Sequence, residues 1–182
     1  MQCTAIKDVD EEGAGLGVFP EPAKSLFISD TPGQEEAAKR AFSVEGLVLN
    51  FVSVSRYLGA YLCPRDQLEA WMKPEVEAWS HRVRVLGQIA LQHPQSAYAS
   101  LGMSLQLEWQ YLQSTVPGVG TLMSPIEEAL REKFFPALFG GDEINANFWE
   151  ILGHSIKHGG LGIPDPFLSA ESTYNTSKAA SG

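Results

Sequence analysis

Cysteine is nearly absent from this chain: Cys3 and Cys63 are the only two in 182 residues. Neither has a histidine or second cysteine at ligand spacing, so neither a disulfide framework nor a zinc site organises the fold. No apolar run approaches the roughly 18 residues needed to cross a bilayer. The amino terminus, with Asp8 to Glu12 close behind it, lacks a signal peptide's basic flank and apolar centre. The expectation is a soluble, intracellular protein, with nucleus and cytoplasm both open, and no membrane partner. Positive charge is also scarce. Thirteen Lys and Arg face 22 Asp and Glu, a net charge of −9, which opposes phosphate binding by bulk attraction. Familiar catalytic patterns are missing too: no serine sits in a nucleophile-elbow context, Cys63 lacks the surroundings of a thiol nucleophile, and there is no His-Glu-x-x-His helix. The Gly13-x-Gly15-x-Gly17 run has no preceding strand and no Gly-Lys-Ser/Thr ending, so it is no phosphate loop. Glu127, Glu128 and Glu132 form a helix face suited to solvent and to the helix dipole rather than to acid-base chemistry.

What is present is an ordinary globular composition, 44% hydrophobic and 19% charged, enough for one sizeable core. The charge is uneven. Residues 1–50 carry four cations against nine carboxylates, residues 51–94 five against four, and the remainder four against nine. Positive charge is therefore relatively concentrated between Arg56 and Arg84, where His81 and His93 add to it only below neutral pH.

Periodicity divides the chain into unequal parts. Ser25–Ser29, Gly46–Val52 and Tyr57–Leu62 read as short strands, with a helix from Gln34 to Phe42 placing Ala37, Ala38 and Ala41 toward the first. From Asp66 the period becomes helical. Pro64 and Pro74 are expected to punctuate a short helix, with Pro74 opening the next. In that next helix Val76, Trp79, Val83, Leu86 and Ala90 form an apolar stripe, and Lys73, Glu77, His81, Arg84 and Gln88 form a polar face. Pro94 starts a third helix with a main stripe of Tyr98, Leu101, Leu105, Trp109, Leu112 and Val116. A second stripe, Met103, Leu107 and Tyr111, lies nearly opposite, so this helix is expected at the centre of a bundle. Ser124-Pro125-Ile126-Glu127 has the pattern of a capping box, opening a helix that buries Ile126, Leu130, Phe134 and Ala137/Leu138 and stops at Gly140-Gly141. A short helix over Asp142–Leu152 follows. The glycines at 159–162 allow one segment to cross closely over a helix, Asp165-Pro166 reads as an N-cap and first position, and Ser177–Gly182 as a disordered tail. The fold class is mainly α with a small α+β N-terminal element. Its domains are residues 1–62, a helical bundle at 63–140, and a closing helix, glycine turn and last helix at 141–182.

Three segments stand out in order: Phe19-Pro20-Glu21-Pro22-Ala23-Lys24-Ser25, Arg56-Tyr57-Leu58-Gly59-Ala60-Tyr61-Leu62 and Gly159-Gly160-Leu161-Gly162-Ile163-Pro164-Asp165-Pro166. Together they resemble the back half of a retroelement reverse transcriptase of the non-LTR kind, over roughly residues 15 to 175. The resemblance implies a palm-edge remnant with a three-stranded β element, a primer-grip hairpin and a helical thumb. It further implies that Lys24 corresponds to a lysine steadying the pyrophosphate leaving group, and that Arg56, Tyr57 and Gly59 correspond to the hairpin holding the primer end. By the same resemblance Arg65 and Arg84 would fall at the start of the thumb, and Lys157 and His158 would face nucleic acid beside the glycine turn.

The Tyr-x-Asp-Asp hairpin and the earlier aspartate that hold two magnesium ions in that family have no counterpart here. Asp8-Val9-Asp10-Glu11-Glu12 lacks the flanking apolar pattern of such a hairpin and reads as a solvated lead-in. The chain therefore carries no cofactor of its own, and is not expected to act as a polymerase alone. The implied partner is an RNA/DNA primer-template, bound weakly given the net acidity. Self-association through the exposed palm edge is a further expectation. A helical protein-interaction module, or a relic without function, stays open beside this reading.

Overall fold

The structure is a computed structural model and describes residues 15, 24–28, 33–44, 46, 49–52, 55–57, 60–62, 65–141 and 145–181. The chain forms two compact units, Met1–Arg56 with Leu62–Pro64, and Tyr57–Tyr61 with Arg65–Gly182. The architecture is mainly helical with a small β component, as the periodicity predicts.

In the first unit β1, Leu26–Phe27, pairs in parallel with β2, Asn50–Phe51, with Leu26 opposite Asn50 and Phe27 opposite Phe51. Parallel neighbours need a crossover longer than a hairpin turn. That crossover contains α1, Gln34–Val44. Its only buried residue is Phe42, whose ring lies 5.9 Å from Phe27 and 6.5 Å from Phe51. The expected alanine face is thus displaced: Ala37 and Ala41 are exposed, because one phenylalanine offers far more apolar area to the two aromatic strand residues than three methyl groups do.

The single strand expected over Tyr57–Leu62 is instead a pair, β3 (Ser55–Tyr57) and β4 (Ala60–Leu62). Among the described residues the β component is two two-stranded pairs rather than one three-stranded sheet. Leu58 and Gly59, between β3 and β4, lie outside the described residues.

In the second unit a 3₁₀ turn at Arg65–Gln67 leads into α2, Leu68–Ala90. Pro74 does not divide this helix. It lies inside it, at a cost of about 3 kcal/mol in an exposed helix interior, and the burial of Met72, Val76, Trp79 and Val83 on the same helix outweighs that local loss. The expected polar face of Lys73, Glu77, His81, Arg84 and Gln88 is exposed throughout.

A second long helical stretch runs as α3, Pro94–Ser100, a π turn at Leu101–Leu105, and α4, Gln106–Thr115. Its main stripe is buried from Leu101 to Val116, with Tyr98 partly so. The second stripe is not: Met103 is 79% exposed, and Leu107 and Tyr111 about half. The helix therefore packs on one side only within its unit. The reason is visible in Gln106 and Gln113, which are buried next to the main stripe and widen the inward face there rather than opposite it.

Beyond a 3₁₀ turn at Gly120–Met123 come α5, Ser124–Ala129, a second π turn at Leu130–Phe134, and α6, Phe135–Leu138. The capping box does not form. The helix begins at Ser124 itself, whose hydroxyl donates back to the Thr121 carbonyl at 3.0 Å, and the N-cap position falls to Met123, whose side chain has no oxygen to accept from the first amides. Ile126, Leu130 and Phe134 are fully buried as their spacing predicts. The stop at Gly140-Gly141 also forms. Both glycines have positive φ, and the Gly141 amide donates back to the Pro136 carbonyl at 2.6 Å.

α2 meets this stretch at close range. A Cβ on Gly87 would lie 3.0 Å from the Lys133 carbonyl oxygen, so the small residue sets the spacing of the two helices. The buried Ser80 hydroxyl is satisfied by the Pro125 carbonyl at 2.9 Å.

α7, Ala146–Gly153, is capped by Asn145, whose side chain accepts from the Phe148 amide at 2.8 Å. The described part of the helix expected over Asp142–Leu152 therefore begins at Ala146; Asp142 and Glu143 lie outside the described residues. α8, Pro166–Ser181, packs along α4. It does not stop at Ser177: Ala179 and Ala180 are strong helix formers, Lys178 complements the carboxyl end of the dipole, and the Ser181 hydroxyl donates to the Ser177 carbonyl at 2.9 Å.

Candidate nucleic-acid interface

Lys24 is exposed immediately before β1, where the Ser25 carbonyl accepts from the Asn50 amide at 3.0 Å. Arg56 and Tyr57 occupy β3. Gly59 lies outside the described residues, as does the acidic cluster at Asp8–Glu12. Lys24 and Arg56 belong to the first unit, and Tyr57, Arg65, Arg84, Lys157 and His158 to the second.

Within the second unit Arg65 opens the 3₁₀ turn before α2, and Arg84 is exposed on the polar face of that helix. A neighbouring cation is already engaged. The Arg82 guanidinium donates to both carboxylate oxygens of Glu108, at 2.9 and 3.0 Å, and the Trp79 indole donates to the same group at 2.8 Å. This fork joins α2 to α4 and removes Arg82 from the charge available to a ligand.

Lys157 and His158 lie exposed on a 3₁₀ turn, Ile156–His158, where His158 Nδ1 and the Ser155 hydroxyl are 2.8 Å apart. What fixes this turn is the glycine segment after it. Gly159 has φ of 84° and Gly162 of 68°, the left-handed region that favours glycine. Gly160 is constrained differently: a Cβ there would fall 2.0 Å from the His154 carbonyl oxygen and 2.6 Å from that of Ile151. The close approach lets the Leu161 amide donate to the Leu152 carbonyl at 3.0 Å and the Gly162 amide to the His154 carbonyl at 2.8 Å. The glycine segment thus satisfies carbonyls at the end of α7 that would otherwise have no partner.

Three side chains hold this segment and the residue that opens the next helix, and of them periodicity singles out Tyr98 alone. The Tyr98 hydroxyl donates to the Leu161 carbonyl at 2.7 Å, the Gln106 amide to the Gly162 carbonyl at 2.9 Å, and the Gln113 amide to the Pro166 carbonyl at 2.6 Å. Ile163 is buried between these anchors. The available signal was two glutamines seven residues apart on one helix, bordering the apolar stripe.

Asp165 closes the arrangement. One carboxylate oxygen accepts from the Phe167 and Leu168 amides, at 2.8 and 3.1 Å, and the other from the Trp149 indole at 3.1 Å. Glu127, on α5, has its carboxyl pushed up from its ordinary value, first by burial and then by the charge of Asp165, against the opposing pull of Arg131. Arg131 pairs with Glu127 at 3.3 Å and lies 5.9 Å from the Trp149 ring centre.

No family model matches the chain, and no curated protein or solved structure matches it. Among the described residues no group of three or more His, Cys, Asp or Glu is placed to hold a metal ion.

Proposed function

We infer that this chain is a reverse transcriptase-like fragment whose helical body contacts a primer-template without carrying the polymerase chemistry. The observation that carries the reading is the coincidence of motif and element. Arg56 and Tyr57 fall on β3, in the strand pair just before a long helix, and the Gly159-Gly160-Leu161-Gly162 segment is a sterically demanding crossing after the helical body. In this reading Arg56, Tyr57 and Gly59 grip the primer end, and Arg65, Arg84, Lys157 and His158 supply backbone contacts, which position a duplex without reading its sequence. Lys24 stands for the leaving-group lysine, idle unless another polypeptide or an upstream segment brings the aspartates.

Photocrosslinking tests it. The full chain is irradiated with an RNA/DNA primer-template carrying 5-iodouridine, and the crosslinked peptides are mapped by mass spectrometry. Crosslinks are expected within residues 56–65, around Arg84 and at 157–158; crosslinks confined to other surfaces, or none from a folded sample, oppose the reading.

A second reading, a helical protein-interaction module, is favoured by one observation: Met103, Leu107 and Tyr111 present an exposed apolar stripe on the α3–α4 stretch.

A further inference from the structure

The first turn of α8 exposes two large apolar side chains, Phe167 at 41% and Leu168 at 70%. Leu168 stands between two open grooves. One, of about 510 Å³, lies between α8 and the loop after α4 and is lined by Pro117, Thr121, Phe167, Glu171 and Tyr174. The other, of about 440 Å³, lies between α8 and α7 and is lined by Trp149, Gly153 and Pro164 together with Glu150 and Asp165.

The walls are therefore apolar, with carboxylates among them. Every ionised side chain along the two grooves, Glu150, Asp165 and Glu171, is negative. The nearby Arg131, 5.9 Å from the Trp149 ring centre, is itself paired with Glu127 at 3.3 Å, so its charge is already offset. Such a surface repels phosphate and attracts cations, while its apolar floor rewards burial of hydrocarbon.

It is also a stable platform. Asp165 fixes the first turn of α8 through two backbone amides and ties it to α7 through the Trp149 indole. Gln113 holds the same turn to α4 through the Pro166 carbonyl. Phe167 and Leu168 are thus displayed from a backbone that needs little ordering on binding, which lowers the entropic cost of capturing a ligand.

We propose that the two grooves flanking Leu168 form a docking site for a peptide segment of a partner protein, with two aliphatic or aromatic anchors flanked by Lys or Arg. One anchor fills each groove, and the flanking cations meet Glu150 and Glu171. The site is distinct in chemistry from the cationic positions assigned to nucleic acid, and it stands whether or not the chain binds a primer-template.

Three fluorescein-labelled synthetic peptides of equal length test it by anisotropy titration of the full chain. The first has Leu, Phe and Trp at its centre between Lys/Arg pairs, the second carries Glu in place of Lys and Arg, and the third carries Gly and Ser in place of the apolar residues. Saturable binding of the first, about tenfold or more tighter than either control, is expected. Leu168→Asp, at a position exposed enough to leave folding intact, is expected to weaken it about tenfold, and the Glu150→Lys/Glu171→Lys pair to weaken it at least as far.

Four results overturn the proposal. They are no saturable binding by the folded chain, equal binding of the third peptide, unchanged affinity in Leu168→Asp, and a concentration-dependent dimer that Leu168→Asp abolishes. The last would make a second copy of this chain the occupant.

Discussion

Gly160 is the residue on which the segment after α7 depends most directly. Its hypothetical Cβ meets backbone atoms of His154 and Ile151, which cannot rotate aside as a side chain would. Gly160→Ala is expected to cost about 3 kcal/mol or more of unfolding free energy, the scale of a backbone-displacing substitution. Gly102→Ala, at a helical site with nothing nearby, is the control and should be neutral or slightly stabilising. Urea denaturation of both variants checks the pair, and equal midpoints would contradict the close crossing. Glu127 carries a second residue-scale prediction. Its raised pKa means that the fold disfavours the charged form relative to the unfolded chain, chiefly through burial and Asp165. Glu127 therefore lowers stability above its folded pKa, and this loss fades as the pH falls through that value toward the unfolded one. Glu127→Gln should raise the urea midpoint at pH 7 and have a smaller effect near pH 4; its exposed pairing with Arg131 is worth too little to reverse the sign.

At the scale of elements, the segment between α7 and α8 is secured by three side chains from the α3–α4 stretch. Gln113 is the most buried of them, and its amide has a carbonyl partner. Gln113→Ala leaves the Pro166 carbonyl without that donor and opens space in the core, at an expected cost of about 2 to 4 kcal/mol. Hydrogen exchange should show amides of α8 losing protection ahead of those of α2. Pro74 gives the opposite case: Pro74→Ala restores a helix amide and should stabilise by up to about 3 kcal/mol, read from the shift in melting temperature.

These elements also show what was legible in the chain. The stripes from Val76 to Ala90 and from Leu101 to Val116 were readable because a 3.6-residue period of large apolar groups has few alternatives in a helix-rich chain. The stop at Gly140-Gly141 and the cap at Asp165 were readable because each uses strictly local chemistry. Continuation through Pro74 was not, since burial of Met72 and Val76 depends on partners distant in sequence. The exposure of Met103, Leu107 and Tyr111 was equally hidden, because periodicity gives a helix two apolar faces without saying which finds a neighbour. Among the candidate site residues, exposure of Arg84 followed from its helix face, whereas the capture of Arg82 by Glu108 needed two helices brought together.

At the scale of the whole molecule a net charge of −9 stands against the proposed contact with a polyanion. The reconciliation lies in distribution: positive charge exceeds negative only between residues 51 and 94, while the carboxylates dominate elsewhere. Among the described residues no helix is long and apolar enough to cross a membrane. The acidic, partly apolar surface at the start of α8 suits a basic peptide, and the cations from Arg56 to Arg84 suit phosphate, so the two ends of the charge distribution ask for different partners. Because few cations are involved, binding to nucleic acid should be weak and its salt dependence shallow, with a slope of log affinity against log salt of about −2 to −3.

Fluorescence-anisotropy titration of the full chain with a labelled RNA/DNA primer-template across a salt series measures that slope directly. The same series is run with Arg56, Arg65 and Arg84 changed together to alanine. Saturable binding at low salt that weakens with that slope is expected, with a triple variant whose affinity falls and whose slope is shallower, Lys157 being the cation left to it. No binding at low salt by a folded, monodisperse sample would contradict it, as would a triple variant that binds with unchanged affinity and slope.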